Sequence, residues 1–204
     1  MTEKEPITVL TIDWDSLKSI SYQSNLGKSL KNTLRKFDKE DLFDDIESAI
    51  SYFTEIALEE VVHYPYRVKS LQSCMIKYEK YYPSTAVEKA FNDLLGIRII
   101  IGDYSDLDSL QLPEKTKVVD MRNGKAIDDG YRGVHIYFQK DHSHYPIEIQ
   151  FMTPFDRQFN EWLHIYVYKY IEDASVGRHL RDLYEQGVIK DEESFRKEMQ
   201  KCAT

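Results

Sequence analysis

Residues 145–153 read Y-P-I-E-I-Q-F-M-T, in which Glu148 and Gln150 alternate with Ile147, Ile149 and Phe151. That is the period of a half-buried strand. A carboxylate and an amide two residues apart on a stiff strand can hold a metal ion or orient a hydroxyl. Three upstream clusters add chemistry to it. Arg67, Lys69, Ser73 and Lys77, in Y-R-V-K-S-L-Q-S-C-M-I-K, bring a forked guanidinium, point charges and hydroxyls near a helix start. Ser70 adds a further hydroxyl, and the set suits a polyphosphate. Asp93 precedes an apolar run that contains Arg98. At a strand edge, Asp93 could meet Glu148 on a neighbouring strand, and two such carboxylates suit Mg²⁺ bridging phosphate oxygens. Tyr131, in G-Y-R-G-V-H from Gly130 to His135, is a loop tyrosine fit to stack on a base. Each cluster also has a plainer reading: a basic helix surface, a capping aspartate, a turn tyrosine, a polar strand face.

The elements that must position these residues form an α+β pattern, a small mixed sheet of about five strands with flanking helices. Residues 40–62 carry Leu42, Phe43, Ile46, Ile50, Phe53, Ile56 and Ala57 at helical spacings, and 68–80 and 85–95 suit short helices. Strands are predicted at Ile97–Ile101, Lys117–Met121, Val134–Gln139 and Pro146–Phe151, with Asp103–Leu112 as a loop containing a helical turn. Asn123-Gly124 and Asp129-Gly130 mark turns. Phe159, Trp162, Tyr166 and Tyr170 predict a helix beginning near Phe155 that packs on the sheet, and helices near 176–187 and 191–201 complete the chain. The organisation is one compact domain: a helical region at 1–62, a core at 63–172 and carboxy-terminal helices at 173–204.

The 204 residues, 42% hydrophobic and 30% charged, are ordinary for a soluble globular chain with a real core. Cys74 and Cys202 have neither disulfide-framework nor zinc spacing. No run approaches a membrane span, and the opening M-T-E-K-E-P has no signal-peptide core behind it, so the chain reads as cytoplasmic. Net charge is −8, yet Lys28, Lys31, Arg35, Lys36 and Lys39 recur as one face of a helix would present them. Such a stripe is either a solvated face or a surface that meets a polyanion.

In this order the clusters resemble one family, the RelA/SpoT-type (p)ppGpp synthetases, and especially the small single-domain alarmone synthetases. The family's R-x-K-x-x-x-S-x-x-x-K falls on Arg67 to Lys77, its D-x-x-G-x-R on Asp93 to Arg98 and its G-Y-x-x-x-H on Gly130 to His135. Its E-I-Q-x-x-T falls on Glu148 to Thr153, and its H-x-x-x-Y-K on His164 with Tyr168 and Lys169. The resemblance covers about half of the chain and implies a pyrophosphokinase that transfers the β,γ-pyrophosphate of ATP to a ribose 3′-hydroxyl, without a hydrolase domain. By the same resemblance Arg67, Lys69, Ser73, Lys77 and Arg98 bind ATP. Asp93 and Glu148 hold Mg²⁺, and Glu148, helped by Gln150, orients or deprotonates the attacking hydroxyl. Tyr131, Arg132 and His135 meet the acceptor.

The departures fall on the acceptor side. Members that use GDP or GTP often carry a lysine three residues before the glycine of the G-Y motif, where this chain has Ile127, followed by Asp128 and Asp129. They usually carry arginine where Met152 stands. Two acids in that loop should repel a free 5′-diphosphate. The resemblance then points to the toxic subgroup encoded in toxin–antitoxin operons, which pyrophosphorylates the tRNA 3′-CCA end and stops translation. Lys28, Lys31, Arg35 and Lys36 would hold the acceptor stem, and a protein antitoxin would be a further partner; oligomers are compatible. Guanosine nucleotides, adenosine nucleotides and an inactive nucleotide- or RNA-binding regulator remain as alternatives, and the last has no need of two metal-holding carboxylates.

Overall fold

The computed structural model describes residues 11–114 and 116–202; the charged opening hexapeptide lies outside them. Among the described residues eight helices and five strands succeed one another as α1 (Trp14–Ser19), α2 (Lys39–Glu55), α3 (Leu58–Val61), β1 (Tyr66–Val68), α4 (Leu71–Tyr81), α5 (Val87–Ala90), β2 (Leu95–Ile100), β3 (Thr116–Asp120), β4 (Val134–Phe138), β5 (Ile147–Met152), α6 (Pro154–Trp162), α7 (Ala174–Glu185) and α8 (Glu192–Cys202). Short 3₁₀ turns lie at Leu34–Lys36 and Tyr104–Leu107, and a π turn at Leu163–Val167 continues α6. The strands form one sheet in the order β1-β2-β5-β4-β3, so the fold is α+β as the patterning predicts.

The chain divides into two compact units. The first comprises 1–99, 107–118 and 136–150 and holds most of each strand. Its helix α2 starts where the Asp38 carboxylate accepts the amides of Glu40 and Asp41, at 2.8 and 3.2 Å. It buries Leu42, Ile46, Ala49 and Phe53 at spacings of three and four. Buried Asp45 on the same helix accepts from Ser24 Oγ at 2.7 Å and from the Tyr145 hydroxyl at 2.9 Å, which fixes α2 to the approach to β5. The helix stops at Glu55, short of the predicted 62, and α3 resumes after a two-residue break. Of the helix predicted at 85–95, only Val87–Ala90 is helical.

The cationic stripe is not helical. Residues 28–33 are irregular and Leu34–Lys36 form a 3₁₀ turn. The backbone here satisfies itself elsewhere: Leu30 N donates to His142 O, Leu34 N to Thr85 O and Arg35 N to Pro83 O. Those bonds, together with the fully buried Leu30 and Leu34, replace the i→i−4 ladder that cation spacing alone suggests.

The second unit comprises 100–106, 119–135 and 151–204. Thr153 caps α6 by accepting the Asp156 amide at 3.1 Å, and Pro154 occupies the first turn. Phe159, Trp162, Leu163, Leu180, Tyr184 and Phe195 from α6, the π turn, α7 and α8 make its core.

Candidate active site

In the first unit a three-residue strand sets up the cationic cluster. β1 pairs antiparallel with β2, placing Arg67 opposite Gly96, and Lys69 N then donates to Leu94 O at 2.9 Å. The chain turns at once into α4, whose first turn is capped by Ser70; its hydroxyl accepts Ser73 N at 3.3 Å and lies 2.9 Å from Ser73 Oγ. Lys77 comes one turn later. The cations Arg67, Lys69 and Lys77 converge on Asp93, which is only 7% exposed. Lys69 Nζ donates to Asp93 Oδ2 at 2.6 Å and Lys77 Nζ to Oδ1 at 2.9 Å, while Arg67 Nη2 stands 4.0 Å from Oδ2. Burial pushes the Asp93 pKa up, but the Lys77 charge and the Lys69 hydrogen bond outweigh it and hold the carboxyl below its ordinary value. The aspartate is therefore a fixed anion that keeps two ammonium groups in register. Cys74, buried beside them, has its thiol pushed up to about 11 by burial and is no nucleophile.

On β5 the buried Glu148 accepts from Gln150 Nε2 at 2.8 Å. A Cβ at Gly96 would lie 3.7 Å from Glu148 Oε2, an ordinary contact distance, which places the carboxylate beside Gly96 on the neighbouring strand. Arg98 stands two residues beyond Gly96 on β2 and projects to the same face.

The second unit carries the tyrosine loop. The Tyr131 ring is half-buried and lies against Gly133, where an added Cβ would come within 3.2 Å of the ring. Its hydroxyl is 2.7 Å from His135 Nε2. Lys125 Nζ sits 5.0 Å from the centre of the Tyr131 ring and 5.9 Å from that of Tyr168, and pairs with Asp129 Oδ2 at 2.6 Å. Asp128 is forked by Arg132, with Nη1 at 2.8 Å and Nη2 at 3.0 Å, receives Arg178 Nη1 at 2.6 Å and accepts the Gly130 amide at 2.9 Å. Burial favours the neutral acid, yet these donors win and hold Asp128 well below the carboxylate range. A depressed pKa means the fold prefers the anion. Its stabilisation is full above about pH 4 and disappears as the pH falls through the folded value. The unfolding temperature of the wild type should thus exceed that of Asp128→Asn by a constant margin from about pH 7 to 5, and the two should converge only in stronger acid.

Residues 66–173 match the region found in RelA / SpoT proteins. The chain belongs to the RelA/SpoT family. It is a pyrophosphotransferase of the RelA/SpoT synthetase type. Solved structures similar to this synthetase include small alarmone synthetase 1 from Bacillus subtilis bound to its product pppGpp, at 21% identity and TM-score 0.44, covering 68% of this chain and 76% of that one. Small alarmone synthetase 2 from Bacillus subtilis is 22% identical with TM-score 0.44, covering 74% and 92%. No curated protein matches it.

Several expected residues of this RelA/SpoT synthetase come together: Arg67, Lys69 and Lys77 around Asp93, and Gln150 on Glu148. Others sit elsewhere. Arg132 is 4% exposed and committed to Asp128, with its backbone bonded to the Asn160 side chain, so it braces the loop instead of facing an acceptor. The acids Asp128 and Asp129 are each matched by cations, which removes the repulsion expected of them. Lys28 Nζ donates to Lys36 O and lies over Phe37, and Lys39 pairs with Glu79; Lys28, Lys31, Arg35, Lys36 and Lys39 are all exposed. Sequence reasoning missed Lys125, whose spacing of four from Asp129 is its only local signal, and Arg178, fifty residues from its partner.

Proposed function

We propose that this synthetase transfers the β,γ-pyrophosphate of ATP to the 3′-hydroxyl of the tRNA CCA end and thereby blocks translation. The reading rests on the Asp93 carboxylate clamped by Lys69 and Lys77. Arriving phosphates would draw those lysines, with Arg67 and the Ser70 and Ser73 hydroxyls at the start of α4, onto their oxygens. The acceptor 3′-oxygen attacks the β-phosphorus, the bond from that phosphorus to the α,β-bridging oxygen breaks, and AMP leaves. Glu148 takes the hydroxyl proton, with Gln150 fixing the carboxylate's orientation. Tyr131 stacks on the acceptor base, backed by His135.

No group of three or more His, Cys, Asp or Glu able to hold a metal ion occurs among the described residues. The hard oxygens of Asp93 and Glu148 nevertheless fit Mg²⁺, which binds through one or two carboxylates completed by substrate phosphates. When bound it would neutralise charge on the transferring pyrophosphate. Asp93 would be free to hold it once phosphates had drawn Lys69 and Lys77 away.

Two observations favour tRNA. Met152 is buried at 2% exposure and Ile127 is 78% exposed, so neither position supplies a cation for a free 5′-phosphate. Lys31, Arg35 and Lys36 offer an exposed basic segment for a long polyanion. A guanosine nucleotide is the second reading, favoured by Lys125 on the Tyr131 ring and by the neutralised loop acids. AMP release from labelled ATP, with tRNA and GDP in parallel, decides between them: transfer to tRNA alone supports the first, and transfer to GDP alone sinks it. Reversing Lys31, Arg35 and Lys36 to glutamate should lower tRNA labelling roughly tenfold or more and leave ATP affinity unchanged, with labelling falling steeply as salt rises. Undiminished labelling would remove the segment from tRNA binding.

A further inference from the structure

The second unit builds the tyrosine loop against a helix that lies beyond residue 173, where the family match ends. Gly130 has a φ of +85°, and a Cβ there would collide with the Gly177 carbonyl of α7; a Cβ on Gly177 would collide in turn with the Asp129 carbonyl. Two glycines thus let loop and helix backbones touch with nothing between them. The next residue of α7, Arg178, donates to Asp128 Oδ2 at 2.6 Å, and Asp128 holds the amide of Gly130 at 2.9 Å. One turn on, a Cβ at Gly130 would stand 3.2 Å from Arg181 Cβ. Arg181 is itself immobilised, paired with Asp156 and Glu185 at 2.6 Å each and lying 5.3 and 5.4 Å from the Phe155 and Phe159 ring centres. Helix α7 therefore controls the residue immediately before Tyr131 through three consecutive points: a backbone contact, an ion pair and a rigid anchor.

We propose that Gly177 and Arg178 of α7 are positioning residues for the acceptor, holding Tyr131 in the orientation its base-stacking role needs. This rests on the reading of Tyr131 as the acceptor platform. Neither residue touches the reacting atoms. Their effect is on acceptor binding and not on ATP.

The test compares Arg178→Gln, Arg178→Lys and Gly177→Ala with the wild type by hydrogen exchange and by steady-state kinetics with tRNA and with GDP. Arg178 is half-exposed, so Arg178→Gln keeps the fold even if Gly177→Ala does not. Arg178→Gln should speed exchange in residues 125–134 and raise the KM for the acceptor about two- to fivefold, the span of a partly exposed ion pair. The KM for ATP and exchange in residues 67–81 should stay as in the wild type, and Arg178→Lys should recover most of the loss. If exchange in 125–134 and the acceptor KM do not change, or if both KM values rise together, the inference is overturned while the transferase reading survives. If the wild type labels neither tRNA nor GDP, both acceptor readings fall, and the role given to α7 with them.

Discussion

Glu148→Gln is expected to reduce AMP release by roughly a hundredfold or more while the protein stays folded, because the change keeps the side chain's shape and removes its charge and basicity. The carboxylate is buried and steadied by Gln150, so the amide replacing it finds the same packing. Asp93→Asn should be as damaging to turnover and should also destabilise the fold by about 3 kcal/mol, since Lys69 and Lys77 lose a buried counter-charge. Chemical denaturation separates the two: one variant keeps wild-type stability, the other does not. Substantial turnover by Glu148→Gln in the presence of Mg²⁺ would remove that residue from proton transfer.

Tyr131→Ala should weaken acceptor binding by about 1–3 kcal/mol, the worth of one base on an aromatic platform, with ATP binding intact. Tyr131→Phe then isolates the hydroxyl, which lies 2.7 Å from His135 Nε2. If stacking is the whole role, the phenylalanine variant keeps most of the affinity; a loss as large as alanine's assigns the work to the hydroxyl. An unchanged acceptor KM in Tyr131→Ala defeats the platform role.

Much of the scaffold was legible in local pattern. The alternation of Ile147, Glu148, Ile149 and Gln150 lies on β5, and the predicted turns at Gly124 and Gly130 both carry positive φ. The starts of α7 and α8 fall within two residues of their predicted places. β1 escaped because three residues with two exposed side chains have no period to read; it exists only through its pairing with β2. The cationic stripe misleads because charge spacing carries no information on where the backbone bonds go, and they go to residues 83, 85 and 142. Around the loop, sequence displays Asp128 and Asp129 as bare charge. Asp129 meets Lys125 and Asp128 meets Arg132, each only four residues away, but the second cation on Asp128, Arg178, is brought in by the fold and invisible to any local window.

The π turn at Leu163–Val167 sets the helical phase of Tyr168. Its amide nitrogen bonds to Leu163 O, five residues back, at 3.0 Å, so the helix has taken in one residue more than an α-helical turn would count. Deleting a single residue from this turn would return the helix to regular winding and swing Tyr168 round by about 100°, away from the Lys125 ammonium that it shares with Tyr131. The aromatic surroundings of the loop are thus encoded by a residue count as much as by residue identity. A homologue with identical motif residues but one position fewer before its tyrosine would present a different wall to its substrate.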